Sequence, residues 1–280
     1  MTRGRDMQSS GEQPRVAGGR RPRAIALVLA MLALAGTTAA LARAELTSNG
    51  NLFVTFKGGI LPETLPRGER APITVWMEGK VRTLKGDDPP SLRTITIALN
   101  RFGHLETRGL PVCRRGEIEA STRAQALSTC RSSLVGTGTY RARSTFPEQA
   151  RSPTLGRILA FHSRLNGKEA ILGHVFGEDP APTTSVIPFT IRRSKGLYRT
   201  VLKGTVPLGL TRWGYLKRIT LRLHRNYTFR GERRTYLSAP CPAPKGLSRA
   251  TFPFAFTAMK FVDGRELSAK LTRSCRARGR

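Results

Sequence analysis

The sequence predicts an all-β protein: an antiparallel β-sandwich or jelly-roll-like fold of ten to twelve strands, with one short helix near residues 122–130. Three observations lead there. Apolar residues recur at every second position in segment after segment, the pattern of strands with one buried face. Turn-forming pairs separate those segments at short intervals, as sandwiches and related folds require. Helix signals gather in a single stretch.

A targeting segment precedes the strands. Arg20, Arg21 and Arg23 form a basic cluster, Ala24 to Ala35 is unbroken apolar sequence, and small residues after Gly36 lead to Ala42-Arg43-Ala44. These are the parts of a secretory signal peptide, so cleavage is expected after Ala44. The apolar core is shorter than the roughly 20 residues of a spanning helix; an uncleaved anchor is the alternative. No later segment is long and apolar enough to span a membrane. The exported region would be 45–280, one domain or two closely packed subdomains with a boundary near 146–156, where "FPEQARSPTLG" reads as a linker.

The strands follow in order. "NLFVTF" places Leu52, Val54 and Phe56 on one face, "PITVWM" does the same for Ile73, Val75 and Met77, and "RTITIALN" for Ile95, Ile97 and Leu99. "KGDDPP" between the last two is a turn. Asn166-Gly167 between two apolar runs is the favoured type I′ hairpin pair. A second hairpin turns at Asp263-Gly264, with Phe252, Phe254 and Phe256 expected on one face. "VIPFTI", "LYRTVLKGTV" and "YLKRITLRLHRNYTF" supply three more strands, and Pro188 in the first marks an edge or a bulge. The helix rests on a T-x-x-Q capping box, Thr122 and Gln125.

Cys113, Cys130, Cys241 and Cys275 are an even set in an exported chain, which reads as a disulfide framework. Three connectivities are possible; the sequence-local pairs Cys113–Cys130 and Cys241–Cys275 are expected. A continuous helix from Cys113 to Cys130 would hold its ends about 25 Å apart, too far for a bridge. A helix of about two turns with a returning loop closes the gap. No Cys pair has zinc-finger spacing, and no H-E-x-x-H, G-x-S-x-G or P-loop pattern occurs, so no metal or cofactor is expected. "ALSTC" is similar to the T-L-x-T-C nucleophile motif of sortases. Ala126 replaces the first Thr of that motif, however, and Cys113 offers Cys130 a disulfide partner. His162 and His174, in the two arms of the Asn-Gly hairpin with Glu178 and Asp179 beyond, are the other candidate chemistry.

Charge is the strongest compositional signal. The whole chain carries a net +30; residues 45–280 hold 41 basic and 16 acidic residues. Such a surface draws polyanions from a distance, and an exported protein meets envelope polymers before nucleic acid. In "RWGYLKRITLRLHRNYTFRGERRTY", Arg218, Arg222, His224 and Arg230 share one strand phase opposite Ile219, Leu221, Leu223, Tyr227 and Phe229, with Lys217, Arg233 and Arg234 near the ends. One strand face would present a cationic stripe suited to phosphate or carboxylate.

Taken together, "RGLPVCRRGEIEASTRAQALSTCRSSLVGTG", "GRILAFHSRLNGKEAILGHVFG", "RWGYLKRITLRL", "YLSAPCPAPKG" and "FVDGRELSAKLTRSC" resemble a group of exported actinobacterial proteins of uncharacterised activity. The resemblance covers most of the region after Ala44. It implies export and four cysteines, and it implies no catalytic residue, ligand or cofactor. The expectation is an exported, non-enzymatic protein that binds an anionic envelope polymer or glycan. The alternatives are an extracellular enzyme with a thiol or histidine-centred site and a purely structural envelope or matrix protein.

Overall fold

A computed structural model describes residues 44–145, 150–179 and 181–279. The segment expected to target the chain for export lies outside them up to residue 43, as do residues 146–149 of the expected linker. From Glu45 onward the chain is strand-rich. The first strands are β1 (Glu45–Asn49), β2 (Leu52–Leu61), β3 (Thr64–Pro66), β4 (Ala71–Pro72), β5 (Thr74–Thr83), β6 (Leu92–Asn100) and β7 (His104–Leu105). Two helices, α1 (Arg115–Ile118) and α2 (Arg123–Cys130), then interrupt the pattern. The long strands β8 (Leu134–Ser144), β9 (Ser152–Leu165), β10 (Lys168–Gly177), β11 (Thr183–Arg193) and β12 (Tyr198–Thr205) follow. After helix α3 (Leu208–Trp213) come β13 (Gly214–Leu223), β14 (Asn226–Phe229), β15 (Glu232–Thr235), β16 (Leu237–Ala239), β17 (Arg249–Phe261) and β18 (Glu266–Arg278).

Thirteen of these strands form one continuous sheet among the described residues, in the order β1-β2-β5-β13-β8-β9-β10-β11-β12-β6-β17-β18-β3. All pairings within it are antiparallel except β18 with β3. The count exceeds ten to twelve because strands as short as β3, β4, β7 and β16 hold too few residues to show an alternation. β8 and β9 pair from Leu134 opposite Phe161 to Ser144 opposite Ser152, so the segment near 146–156 joins neighbouring strands of one sheet.

The sheet rolls until β18 lies against β1 and β2, and its two halves face each other across an apolar interior. Gly79 of β5 shows how close they come. A Cβ there would stand 2.5 Å from the Met259 methyl carbon of β17, so a larger residue would require the end of that methionine to move. Leu52, Val54, Phe56, Ile95 and Leu99 are buried inside as their alternation predicts, with Leu267 and Leu271 opposite them. Each such side chain contributes about 1.5–3 kcal/mol on leaving water. Arg273 clamps the rolled edge, donating from Nε to the Gly58 carbonyl and pairing with Glu45 at 3.1 Å.

Two departures from simple alternation have local causes. The register of β17 shifts between Pro253 and Ala255. Phe252 and Phe254 therefore stay in the core, while Phe256 turns to the other face and meets the Tyr198 ring at 6.2 Å. A bulge inserts one residue and so exchanges the faces beyond it. Pro188 sits on an inner strand; β11 pairs with β12 only from Phe189 onward, so the missing N–H faces a side where pairing has stopped. The hairpin at Asn166-Gly167 has both turn residues at positive φ, 51° and 74°, as its sequence predicts.

Both bridges have the expected pairing. Cys113–Cys130 spans 5.5 Å between α-carbons and Cys241–Cys275 spans 5.8 Å. Disulfides suit an oxidising, extracellular environment. α2 begins at the predicted box: Thr122 Oγ1 accepts from the Gln125 N–H, and Gln125 Oε1 accepts from the Thr122 N–H. The stapled α1–α2 unit packs Ile118 and Ala126 onto Leu159, Phe161, Leu172 and Val186, on the convex side of β9–β11. Those strands are thus covered on both faces, which is why "RILAF" and "EAILG" read as unbroken apolar runs. No helix among the described residues is long and apolar enough to cross a membrane.

Candidate anion-binding groove

The predicted cationic stripe does not form a single face. β13 ends at Leu223, and the chain re-enters a separate two-stranded ribbon, β14–β15. Arg230 and Gly231 are the turn of that ribbon, at φ 52° and 77°, so Arg230 leaves the line of Arg218 and Arg222. Its guanidinium lies over the Phe229 ring at 5.3 Å. The ribbon docks on the loop before Cys113: Tyr227 donates to the Arg108 carbonyl, and Phe229 covers Gly109. Tyr227 and Phe229 therefore do not continue the inner face of β13.

Most of the remaining residues of the stripe are neutralised. Lys217 meets the Asp88 carboxylate at 3.2 Å, beside Arg143 and Arg151. Asp88 is only 8% exposed, a collection point for three cations rather than simple turn chemistry. Arg218 pairs with Glu78 at 2.5 Å, and Arg234 pairs with Glu232 and Glu106. Arg233 is exposed on β15, and Arg222 is exposed on the convex face of β13.

Beside Arg218 on that convex face lies a site the sequence reading missed. β8 pairs with β13 on one side and β9 on the other, placing Arg141 opposite both Arg218 and Leu155. One row along, Thr139 stands opposite Thr220 and Arg157, and Arg157 opposite Phe176 of β10. Arg123, the first residue of α2, completes an open groove of about 470 Å³ whose walls include Arg123, Arg141, Arg157, Leu155, Phe176 and Glu178. All three arginines are exposed, and none has an ion pair or hydrogen-bond partner among the described residues. Like charges facing each other across a sheet are destabilising unless something neutralises them. Arg218 has Glu78; Arg141 has no carboxylate.

The groove escaped sequence reading because its arginines lie 18 and 16 positions apart. Only "TYRAR", Thr139 to Arg143, carried a signal: its alternation sends Thr139, Arg141 and Arg143 to one face.

No family model, curated protein or solved structure matches this chain.

The enzyme alternatives find no support in the geometry. Cys130 is bonded to Cys113 and no cysteine is free, so a sortase-like thiolate is absent, and the Cys113–Glu117–Cys130 cluster offers no thiolate ligands. His162 and His174 do not face each other. His162 opposes Ile171 and His174 opposes Leu159, on opposite faces of the sheet. His174 Nε2 lies 3.0 Å from the Ser121 carbonyl, which also accepts from Thr184. His162 Nδ1 lies 2.9 Å from the Pro111 carbonyl, and its Nε2 is 3.9 Å from Glu169, which in turn accepts from Thr107. His174 fastens the stapled loop to the sheet, and His162 fastens the segment that leads into it. Burial away from water pushes His174 below the usual imidazole value against the raising effect of the Ser121 carbonyl.

Proposed function

We propose that this is an exported, non-enzymatic binding protein of the four-cysteine group it resembles, and that it holds a phosphate- or carboxylate-bearing envelope polymer in the convex groove. Three partnerless guanidinium groups on one groove carry this conclusion. Guanidinium forks match phosphate and carboxylate oxygens, and charge-assisted hydrogen bonds are the strong ones. Arg222, exposed further along β13, extends the basic surface, so a polymer crossing the groove continues over it. Thr139 and Thr220 add hydroxyls between the arginines. Export supplies the encounter, and the net charge steers it.

The test is retention on immobilised poly(glycerol phosphate) and hyaluronate across a salt series. The native chain should bind and lose affinity steeply with salt. Each hydrogen bond to a charged group contributes about 1.5–3 kcal/mol, so the double reversal Arg141→Glu/Arg157→Glu should weaken binding by about a hundredfold. Arg233→Glu, on the separate ribbon, should leave it nearly unchanged. Equal losses in both variants would mean diffuse attraction to net charge and no groove.

A further inference from the structure

The convex face that carries the arginine groove continues toward the first strands of the sheet. Val75 and Val81 of β5 lie in the core with Met77 packed against it, so Trp76 between them points outward. Gly59 of β2 stands opposite Trp76. A Cβ at Gly59 would stand 3.1 Å from the Trp76 Nε1 and 3.4 Å from its Cε2 and Cζ2, so the indole rests over bare glycine backbone. Trp76 is only half-buried, and among the described residues no ring or guanidinium stacks on it. Trp213, the other tryptophan, has the Arg212 guanidinium over its ring at 4.8 Å.

Trp76 stands opposite Arg222 of β13, and Arg222 opposite Thr137 of β8. Arg222 and Thr137 are exposed, and Arg222 has no ion pair or hydrogen bond among the described residues. Leu159 of β9, next in that row, lies under the stapled unit. A polymer on this row therefore turns along β8 to Thr139, on the same face, and enters the groove. Three strand spacings put Trp76 about 14 Å from Arg157 across the sheet. Glu78, beside Trp76 on this face, is already paired with Arg218 and Lys80.

The chemistry of this track selects the occupant. An indole offers an apolar plate with one N–H at its edge. A pyranose matches it, with C–H bonds on one face and hydroxyls around the rim; a poly(glycerol phosphate) backbone has no ring to lay there. Thr137, Thr139 and Thr220 put hydroxyls between the indole and the groove arginines, and each can donate and accept, as sugar hydroxyls do. Single-stranded nucleic acid also carries rings and charge, but successive bases use successive aromatic platforms. Here Trp76 is followed by Arg222 and Thr137, and Phe176 in the groove lies parallel to the His174 ring at 6.5 Å.

We propose that Trp76 is a sugar-stacking subsite and that the polymer at the arginines is a carboxylate-bearing polysaccharide, with one pyranose ring on the indole and a carboxylate at Arg222. Its contacts in the groove rest on the groove reading above; the ring on Trp76 is tested apart from it.

Retention on hyaluronate, poly(glycerol phosphate) and oligothymidylate at one salt concentration separates the two. Trp76→Ala should weaken hyaluronate binding at least tenfold and change poly(glycerol phosphate) binding less than twofold. Trp76→Tyr, which keeps a ring, should recover most of the loss. In Trp213→Phe, where Trp76 is the remaining indole, saturating hyaluronate should shift the emission to shorter wavelength and shield it from acrylamide; poly(glycerol phosphate) should do neither. That measurement leaves Trp76 in place, so it decides the question whatever Trp76→Ala does to folding. Arg141→Glu/Arg157→Glu should weaken both polymers. If Trp76 emission ignores hyaluronate and Trp76→Ala binds it as the native chain does, the subsite is overturned and the groove reading stands. If oligothymidylate alone depends on Trp76, the ring it takes is a base and the polysaccharide is overturned. If hyaluronate depends on Trp76 while the arginine reversal changes neither polymer, the groove reading is overturned and the ring subsite stands.

Discussion

Replacing Cys113 and Cys130 by alanine tests whether the stapled unit belongs to the fold or merely rides on it. The bridge joins residues 17 positions apart. In the chain-entropy model a closed loop of that size stabilises by about 3 kcal/mol. That full value is realised only if the unit unfolds together with the sheet. The packing says it does: Cys113 and Cys130 are buried in one cluster with Phe161 and Leu172, which belong to central strands. In a chain of this size each kcal/mol lowers the melting temperature by about 2–4 °C, so the double variant should melt about 6–12 °C lower. Urea unfolding followed by tryptophan fluorescence, on variant and native protein in parallel, measures the difference directly. The matching variant Cys241→Ala/Cys275→Ala removes a bridge across 34 positions and should cost only about 0.6 kcal/mol more. A loss below about 1 kcal/mol for the first variant, with the second behaving as expected, would refute the coupling: α1–α2 would then detach before the sheet unfolds. Because Arg123 starts α2, the first variant should also weaken polyanion retention a few-fold.

Two further outcomes follow from local geometry. Gly138→Ala should destabilise by about 2–3 kcal/mol, since its Cβ would stand 2.1 Å from the Thr220 carbonyl oxygen. Gly116→Ala, with open space around its Cβ, should be neutral or slightly stabilising within helix α1. Comparable midpoints for the two variants would contradict the β8–β13 packing. Folding holds the pKa of His174 below its ordinary value, so the unfolded chain takes up the proton first as pH falls through about 6.5. The stability at stake is intact above that pH and is lost as pH falls toward the lower folded value. His104 is shifted the same way by burial and by Arg70, and it is common to both proteins compared. His174→Gln should therefore show a shallower loss of stability between pH 7.5 and 5 than the native chain; parallel curves would contradict the shift.

Period-two alternation and turn pairs were enough to read the strands, the Asn166-Gly167 hairpin and the α2 capping box, because each depends on residues close in sequence. Even cysteine count and local spacing were enough for the pairing of Cys113 with Cys130 and Cys241 with Cys275. The stripe from Arg218 to Arg230 failed at one point, the break after Leu223. There the phase of a strand stops carrying information, since a turn can send the next strand anywhere.

By itself, then, the sequence determined a basic, strand-rich chain with one capped helix and four cysteines. Alternation, capping and charge are properties of short segments, and they survive any arrangement of those segments. Only the tertiary structure decided which strands became neighbours. That choice set Arg141 between Arg218 and Leu155 and brought Arg157 and Arg123 beside it. Cross-strand register joins residues far apart in the chain, and no local pattern encodes it.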